Sequence, residues 1–294
     1  MEPSDYGPFP YTPINRRPIL RWPNGARLAL WVIPNIEFFS LKRPIASHPW
    51  EKPPAETPTV RPWGQRDYGN RIGVFRVMDV LKKYGVRATA TVNADICDHH
   101  PQILEDALKL DWELMGHNLT NSVRLTGLAP QQERQIITES LDKLQKFSGK
   151  RPRGWLGAGL AETWQTLEML AEAGVDYVSD WVNDDQPYLM DAGKRKLTYL
   201  PYSYELNDSP QLYYRDRAID DFENMIKRQF DVLYREGEES ARVMAICLHP
   251  YLIGVPHRIG SLDNAIKYIC SHPDVWCATG SEIVDAYLAS GSTF

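Results

Sequence analysis

The chain has 294 residues and only four cysteines, Cys97, Cys247, Cys270 and Cys277, no two of them in a C-x-x-C pair. That spacing excludes a paired-cysteine zinc motif and a dithiol redox motif. Two of the four sit inside apolar strand-like runs, so they read as buried thiols of a reducing, cytoplasmic protein. No uninterrupted apolar run reaches the length needed to span a bilayer, so no membrane partner is expected. The N-terminus, Met1-Glu-Pro-Ser-Asp-Tyr-Gly-Pro-Phe-Pro10, lacks the charged start and apolar core of a secretory signal. Charge of one sign is missing too. With 33 basic and 38 acidic side chains, a formal net of -5 and no basic stripe, nucleic acid is not an expected partner.

What is present suits one compact body, since hydrophobic residues make up 43% of the chain and provide for a large core. Proline is concentrated near the start. Residues 1–26, with Pro8, Pro10, Pro13, Pro18, Pro23, Arg16 and Arg17, predict an extended arm that lies on the body or reaches a neighbouring subunit, which makes a homo-oligomer the expected assembly. Residues 27–294 form the remaining single domain. It is interrupted near 40–68 by a second proline-rich segment (Pro44, Pro49, Pro53, Pro54, Pro58, Pro62). Such a long insertion is a lid, an interface or a disordered stretch, and it is a candidate wall of a site.

From Arg71 onward the order is regular. Ile72, Phe75, Val77, Met78 and Leu81 make a helical stripe, and residues 86–92 alternate as a strand does. The pattern repeats, so that seven β-branched runs end on a polar or ionisable residue and give way to a helix. The endings are Asn35 and Glu37, Asn93 and Asp95, His117, Trp155, Asp180, Tyr202, and His249. Parallel strands of this kind close into a β/α barrel whose C-terminal strand ends meet at one mouth, and an enzyme is the leading reading.

His249, leaving a buried strand before Pro250, suits a general acid, because an imidazole holds a proton near neutrality and delivers it to a leaving group. His257 and Arg258 follow on the same loop and would bind an oxyanion or carboxylate of the substrate, or form an ordinary surface pair. His117 and Asn121 lie four residues apart, the spacing by which a metal gathers two ligands, although asparagine is a poor zinc ligand. With Glu37 they make a weak three-ligand candidate. A carboxylate facing an apolar mouth needs a cation, a metal or a histidine opposite it, which singles out Glu37. Asp180 and Asn183, in the acidic run after strand five, would orient a barrel histidine, bind substrate or cap a turn. Trp155, between Gly154 and Gly157, is placed where the backbone approaches a ligand closely, or it packs in the core.

Three of these segments, Arg151-Pro-Arg153-Gly154, Gly116-His117 and Leu248-His249-Pro250, together resemble the NodB-homology polysaccharide deacetylases. The likeness is closer to the branch that holds metal-independent allantoinases, cyclic imide hydrolases and intracellular peptidoglycan-deacetylase-like proteins. It spans residues 20 to 290, from Arg21-Trp-Pro-Asn-Gly-Ala-Arg27 to Trp276-Cys-Ala-Thr-Gly280. The resemblance implies an α/β fold, a distorted (β/α)7 barrel. It carries Asn35 and Glu37 onto the motif where deacetylases place a base aspartate and a metal-binding aspartate, His117 and Asn121 onto the paired-histidine motif, residues 151–154 onto the groove wall, and His249 onto the acid. Asn35 cannot act as a base, and Asn121 removes one imidazole from a metal.

The expected activity is hydrolysis of a non-peptide carbon–nitrogen bond in a small amide: a cyclic imide, hydantoin or ureide. Glu37, His117 and His249 would be catalytic, and Asn35, Trp155, Asp180, Asn183, His257 and Arg258 would bind substrate. Either no cofactor or a weakly bound zinc is expected. Two alternatives stay open, a metal-dependent carbohydrate deacetylase and a non-catalytic ligand-binding barrel.

Overall fold

The computed structural model describes residues 4–46, 50–53 and 58–294. Pro49 and Pro54 of the expected proline-rich insertion lie outside the described residues. The strands are β1 (Leu28–Ile36), β2 (Thr89–Val92), β3 (Glu113–Gly116), β4 (Gly154–Trp155), β5 (Tyr177–Val178), β6 (Tyr188–Ala192), β7 (Arg195–Tyr199), β8 (Arg242–Leu248) and β9 (Val275–Cys277). The helices are α1 (Val60–Tyr68), α2 (Val74–Lys83), α3 (Ile96–His99), α4 (Pro101–Lys109), α5 (Pro130–Ser148), α6 (Thr166–Glu172), α7 (Ile219–Glu236), α8 (Pro250–Ile253), α9 (Ile259–Cys270) and α10 (Gly280–Ala289). No helix among the described residues is long and apolar enough to cross a membrane.

The sheet runs β6-β7-β5-β4-β3-β2-β1-β8, and from β7 to β8 it is seven parallel strands. It curls until its two ends nearly meet. Backbone hydrogen bonds from Val243 to the Asp185 carbonyl and from Cys247 to the Leu206 carbonyl, both 2.9 Å, bridge the gap. This is the distorted (β/α)7 barrel. The distortion has a second source at β1, which pairs with β9 at Leu28–Leu30 and with β2 only at Asn35 and Ile36 along the same edge. β6 adds an antiparallel edge strand to β7 through a turn at Gly193.

Period two along the strands decides which side chains enter the lumen. In β1, Leu28, Leu30, Val32 and Ile36 pack outward in the layer that holds α2, α4, α7 and α9, while Ala29, Trp31 and Ile33 pack inward with Met115, Tyr177 and Ala245. Asn35 and Glu37 continue the inward set. β8 behaves likewise, with Met244, Ile246 and Leu248 outside, Val243, Ala245 and Cys247 inside, and His249 next in phase. His117 follows inward-facing Met115 by the same rule.

The helical stripe from Arg71 belongs to a longer run, since α1 and α2 are joined by a π-helical turn, Gly69–Gly73. Pro62 did not prevent α1 because it occupies the first turn, where no intrahelical N–H bond is lost. The arm crosses the base of the barrel. Leu20 N–H donates to Ser240 Oγ at 3.0 Å, Trp22 Nε1 to the Arg242 carbonyl at 2.8 Å, and Arg17 pairs with Asp184.

The π turn lies against α8, directly after His249. A Cβ built on Gly73 would stand 2.1 Å from the Pro250 carbonyl oxygen, and one on Gly254 would stand 2.5 Å from Gly73 Cα. Gly73→Ala is therefore expected to lower stability by about 1–3 kcal/mol, the usual cost of overpacking, and to displace the loop that follows His249. A urea midpoint shift together with reduced ligand binding would show it, whereas an unchanged midpoint would contradict the contact.

Candidate active site

At the C-terminal ends of β1, β3 and β8 lies a cavity of about 370 Å³, with Glu37, His117 and His249 on its floor. Glu37 Oε1 stands 3.9 Å from His117 Nε2 and 3.5 Å from His249 Nε2, and it accepts a hydrogen bond from the Asn121 amide. All three ionisable groups are buried. Glu37 Oε2 and His117 Nε2 have no hydrogen-bond partner among the described residues.

Each imidazole is held through its other nitrogen. His117 Nδ1 donates to the Leu156 carbonyl at 2.7 Å, and a carbonyl only accepts, so the lone pair of neutral His117 sits on Nε2 and faces the cavity. His249 Nδ1 donates to Asp208 Oδ1 at 2.7 Å, and the His249 backbone N–H reaches both Asp208 oxygens at 2.9 and 2.8 Å. Burial alone would raise Glu37. The facing His249 charge and the His117 and His249 rings override it and hold the carboxyl down at about 2. Burial would likewise discharge His249, but Glu37 and Asp208 on either side push it up to about 10. Burial raises Asp208, partly offset by His249. The row therefore runs from Asp208, whose two oxygens accept the N–H groups of His249, through protonated His249 to ionised Glu37.

Asn35, expected to bind substrate, reaches the cavity wall, but its amide is already engaged. Nδ2 donates to the Leu248 carbonyl at 3.1 Å and to Tyr202 Oη at 3.2 Å, while Oδ1 accepts from Thr91 Oγ1 at 2.8 Å. Asn93 is the other buried amide that holds the floor. Its Nδ2 donates to the His117 carbonyl and its Oδ1 accepts the Phe38 N–H at 2.8 Å.

Several expectations need correction. Trp155 is fully buried outside the barrel, among Leu125, Ile137 and Leu141, because β4 turns it outward and Leu156 inward. It does not line the cavity. Asn183 is exposed on a different cavity and accepts from Tyr188 Oη at 2.9 Å. Asp180 is buried just past the end of β5 and does not line the cavity; its Oδ1 accepts the Gly157 N–H at 2.8 Å, and burial pushes it up to about 6 beside Glu162, whose own carboxyl is raised by burial and by Asp180. The carboxylate that orients a barrel histidine is Asp208, not Asp180. His257 and Arg258 line an adjoining cavity that shares Arg66, Tyr213 and Tyr251 with the main one. Asp208 was missed because it caps a short π-helical turn, Ser209–Tyr214, with no strand pattern leading to it, 41 positions from its histidine.

The zinc expectation meets a donor set that does not suit it. Asn121 turns its N–H toward Glu37 and its carbonyl toward Asn93 Nδ2, 3.4 Å away, so it offers no lone pair where a third ligand is needed. His249 Nε2 carries a proton. Glu37 and His117 alone face a common point, one ligand short of the three protein ligands typical of a catalytic zinc site, and among the described residues no group of three metal-ligating side chains forms.

Residues 67–178 match the polysaccharide deacetylase family model. A Schizosaccharomyces pombe protein assigned provisionally to the polysaccharide deacetylases is 27% identical, with 94% of each chain covered. The crystal structure of Puue allantoinase superposes with a TM-score of 0.86 at 27% identity, covering 93% of this chain and 94% of that one. A probable polysaccharide deacetylase from Pseudomonas aeruginosa PAO1 superposes with a TM-score of 0.85 at 26% identity, covering 94% and 95%. The resemblance to the NodB-homology polysaccharide deacetylase superfamily is thus borne out, and the chain is a hydrolase of the type that acts on carbon–nitrogen bonds other than peptide bonds.

The charged row fixes how the protein responds to pH. His249 is raised, so its ion pairs stabilise the fold fully below about pH 6.5 and are lost as pH climbs through about 10. Glu37 is lowered, so its contribution is present above about pH 4.5 and is lost as pH falls toward 2. Asp208→Asn keeps an acceptor for Nδ1 but removes a negative charge. It is expected to bring the His249 titration down toward neutrality and to move the alkaline loss of stability with it, measurable by NMR of the imidazole and by urea midpoints against pH. An unmoved titration would remove Asp208 from the account.

Proposed function

We propose that the chain hydrolyses the carbon–nitrogen bond of a small amide: a cyclic imide, hydantoin or ureide. The observation that carries this reading is the floor itself, an unpartnered imidazole nitrogen and a protonated imidazole on either side of one ionised carboxylate, inside a cavity sized for a single small molecule. A base and an acid facing one space are what addition of water to a carbonyl and departure of nitrogen require.

A carboxylate held at about 2 is too weak a base to take a proton from water near neutrality, whereas His117 Nε2 is unpartnered and faces the cavity. His117 Nε2 therefore takes the proton as the water oxygen bonds to the carbonyl carbon, with Glu37 Oε2 aligning the water and offsetting the new positive charge. When the carbon–nitrogen bond breaks, His249 Nε2 gives its proton to the leaving nitrogen. Asp208 holds the ring and replenishes its affinity for the proton. The acid is a weak one at about 10, but an amide nitrogen leaving as an anion is far more basic.

The second reading, carbohydrate deacetylation, is supported by the family match over residues 67–178. It differs in its product, acetate from acetylated sugars, and in requiring stoichiometric zinc. Four free cysteines suit a reducing, cytoplasmic setting, and exposed Tyr11, Ile14 and Ile19 on the arm suit contact with a second copy.

A screen of hydantoins, cyclic imides, ureides and acetylated sugars, with and without zinc and after chelation, is expected to find a small amide hydrolysed regardless of chelator. On that substrate His249→Ala should lower kcat by about 10²–10⁴-fold with an unchanged circular dichroism spectrum. Acetate release that depends on zinc would replace this proposal with the second reading, and full activity of the variant would remove His249 from the mechanism.

A further inference from the structure

Arg66 lies in the wall shared by the main cavity and its neighbour. Its guanidinium carbon is 4.9 Å from the centroid of Phe39, 5.5 Å from that of Tyr251 and 5.7 Å from that of Tyr213, so three rings enclose it. Its side chain makes one hydrogen bond, from Nη1 to the Pro62 carbonyl at 2.9 Å, and its buried Nε has no partner. No carboxylate pairs with it among the described residues. Many other arginines of this chain do have one, including Arg17 with Asp184, Arg153 with Asp285 and Arg215 with Glu205.

Arg66 is partly buried, and its Nε fully so; a guanidinium partly withdrawn from water needs compensation, of which aromatic faces supply only part. The remaining donors of its planar fork match a carboxylate. A second guanidinium, Arg124, lines the same cavity, packed on Gly159, where a Cβ would stand 3.0 Å from its Nε. It too has no ion-pair partner among the described residues. The catalytic floor behaves in the opposite way, because two carboxylates flank one imidazolium and repel an anion.

We infer that the substrate carries a carboxylate as well as the scissile amide, and that Arg66, assisted by Arg124, binds that carboxylate at the rim. This rests on the small-amide reading and narrows it to acidic amides. One tyrosine separates the two ends of the site, since the Tyr251 ring packs edge-on at 5.6 Å from the His249 ring on one side and takes the Arg66 guanidinium on the other. The carboxylate is therefore set a short chain away from the carbonyl that reacts, as in a hydantoin bearing an acetate side chain.

Succinate, which cannot be hydrolysed, tests the anion site independently of turnover. Calorimetry is expected to show succinate binding to the wild-type protein, weakened about ten- to hundred-fold in Arg66→Gln and less in Arg66→Lys, which keeps the charge and the stem. Thermal midpoints identify a variant that fails to fold, in which case Arg66→Lys and Arg124→Gln decide. Hydantoin-5-acetate should have a higher kcat/KM than its methyl ester, and Arg66→Gln should erase most of that preference. Equal succinate binding by wild type and Arg66→Gln, or none by wild type, would overturn the inference even where neutral amides are hydrolysed. Arg66-dependent succinate binding with no amide hydrolysed would instead support the anion site and overturn the hydrolase reading.

Discussion

Three charges buried in alternation, Asp208, His249 and Glu37, set the terms for the rest of the molecule. A lone ion at this depth would cost several kcal/mol, and removing any one member leaves its neighbour uncompensated. The row survives because each member is also hydrogen-bonded, Asp208 by a backbone N–H as well as a ring, and Glu37 by the Asn121 amide. It demands that three remote segments arrive in register. The bond from Cys247 to Leu206 that brings the barrel ends together also sets residue 208 beside residue 249, so closure of the sheet and assembly of the Asp208–His249 pair are one event.

Asn35 shows why this floor differs from a paired-carboxylate one. Its position requires a side chain that donates to the Leu248 carbonyl and accepts from Thr91 at once. A carboxylate there would set an acceptor against an acceptor and place a third negative charge near Glu37. The amide removes both conflicts and ties β1 to β2 and β8. Asn121 acts similarly at the neighbouring corner by presenting N–H to the carboxylate, where a second imidazole would present a lone pair to a metal.

Much of this was legible in the sequence because a strand's period of two is a strict rule. Glu37, His117 and His249 each continue an inward-facing series, so their convergence follows from counting along β1, β3 and β8. The rule fails where a strand is too short to count. β4 has two residues, and nothing in Gly154-Trp155-Leu156 says that tryptophan faces the helices and leucine the lumen. Asp208 was invisible for another reason, since it continues no inward-facing strand series and meets His249 only through chain closure. The helix over residues 60–68 was obscured by proline, whose cost depends on its position within the first turn rather than on its presence.

Asn93 carries a consequence of another kind. One buried amide holds the His117 carbonyl, approaches the Asn121 side chain and accepts the backbone N–H of Phe38, so the loops after β1 and β3 share a single fastening. Neither loop is free to drift without dragging His117 and Glu37 together. Substitutions at that depth break buried hydrogen bonds, whereas the residues that ring the opening can change at little cost to the fold.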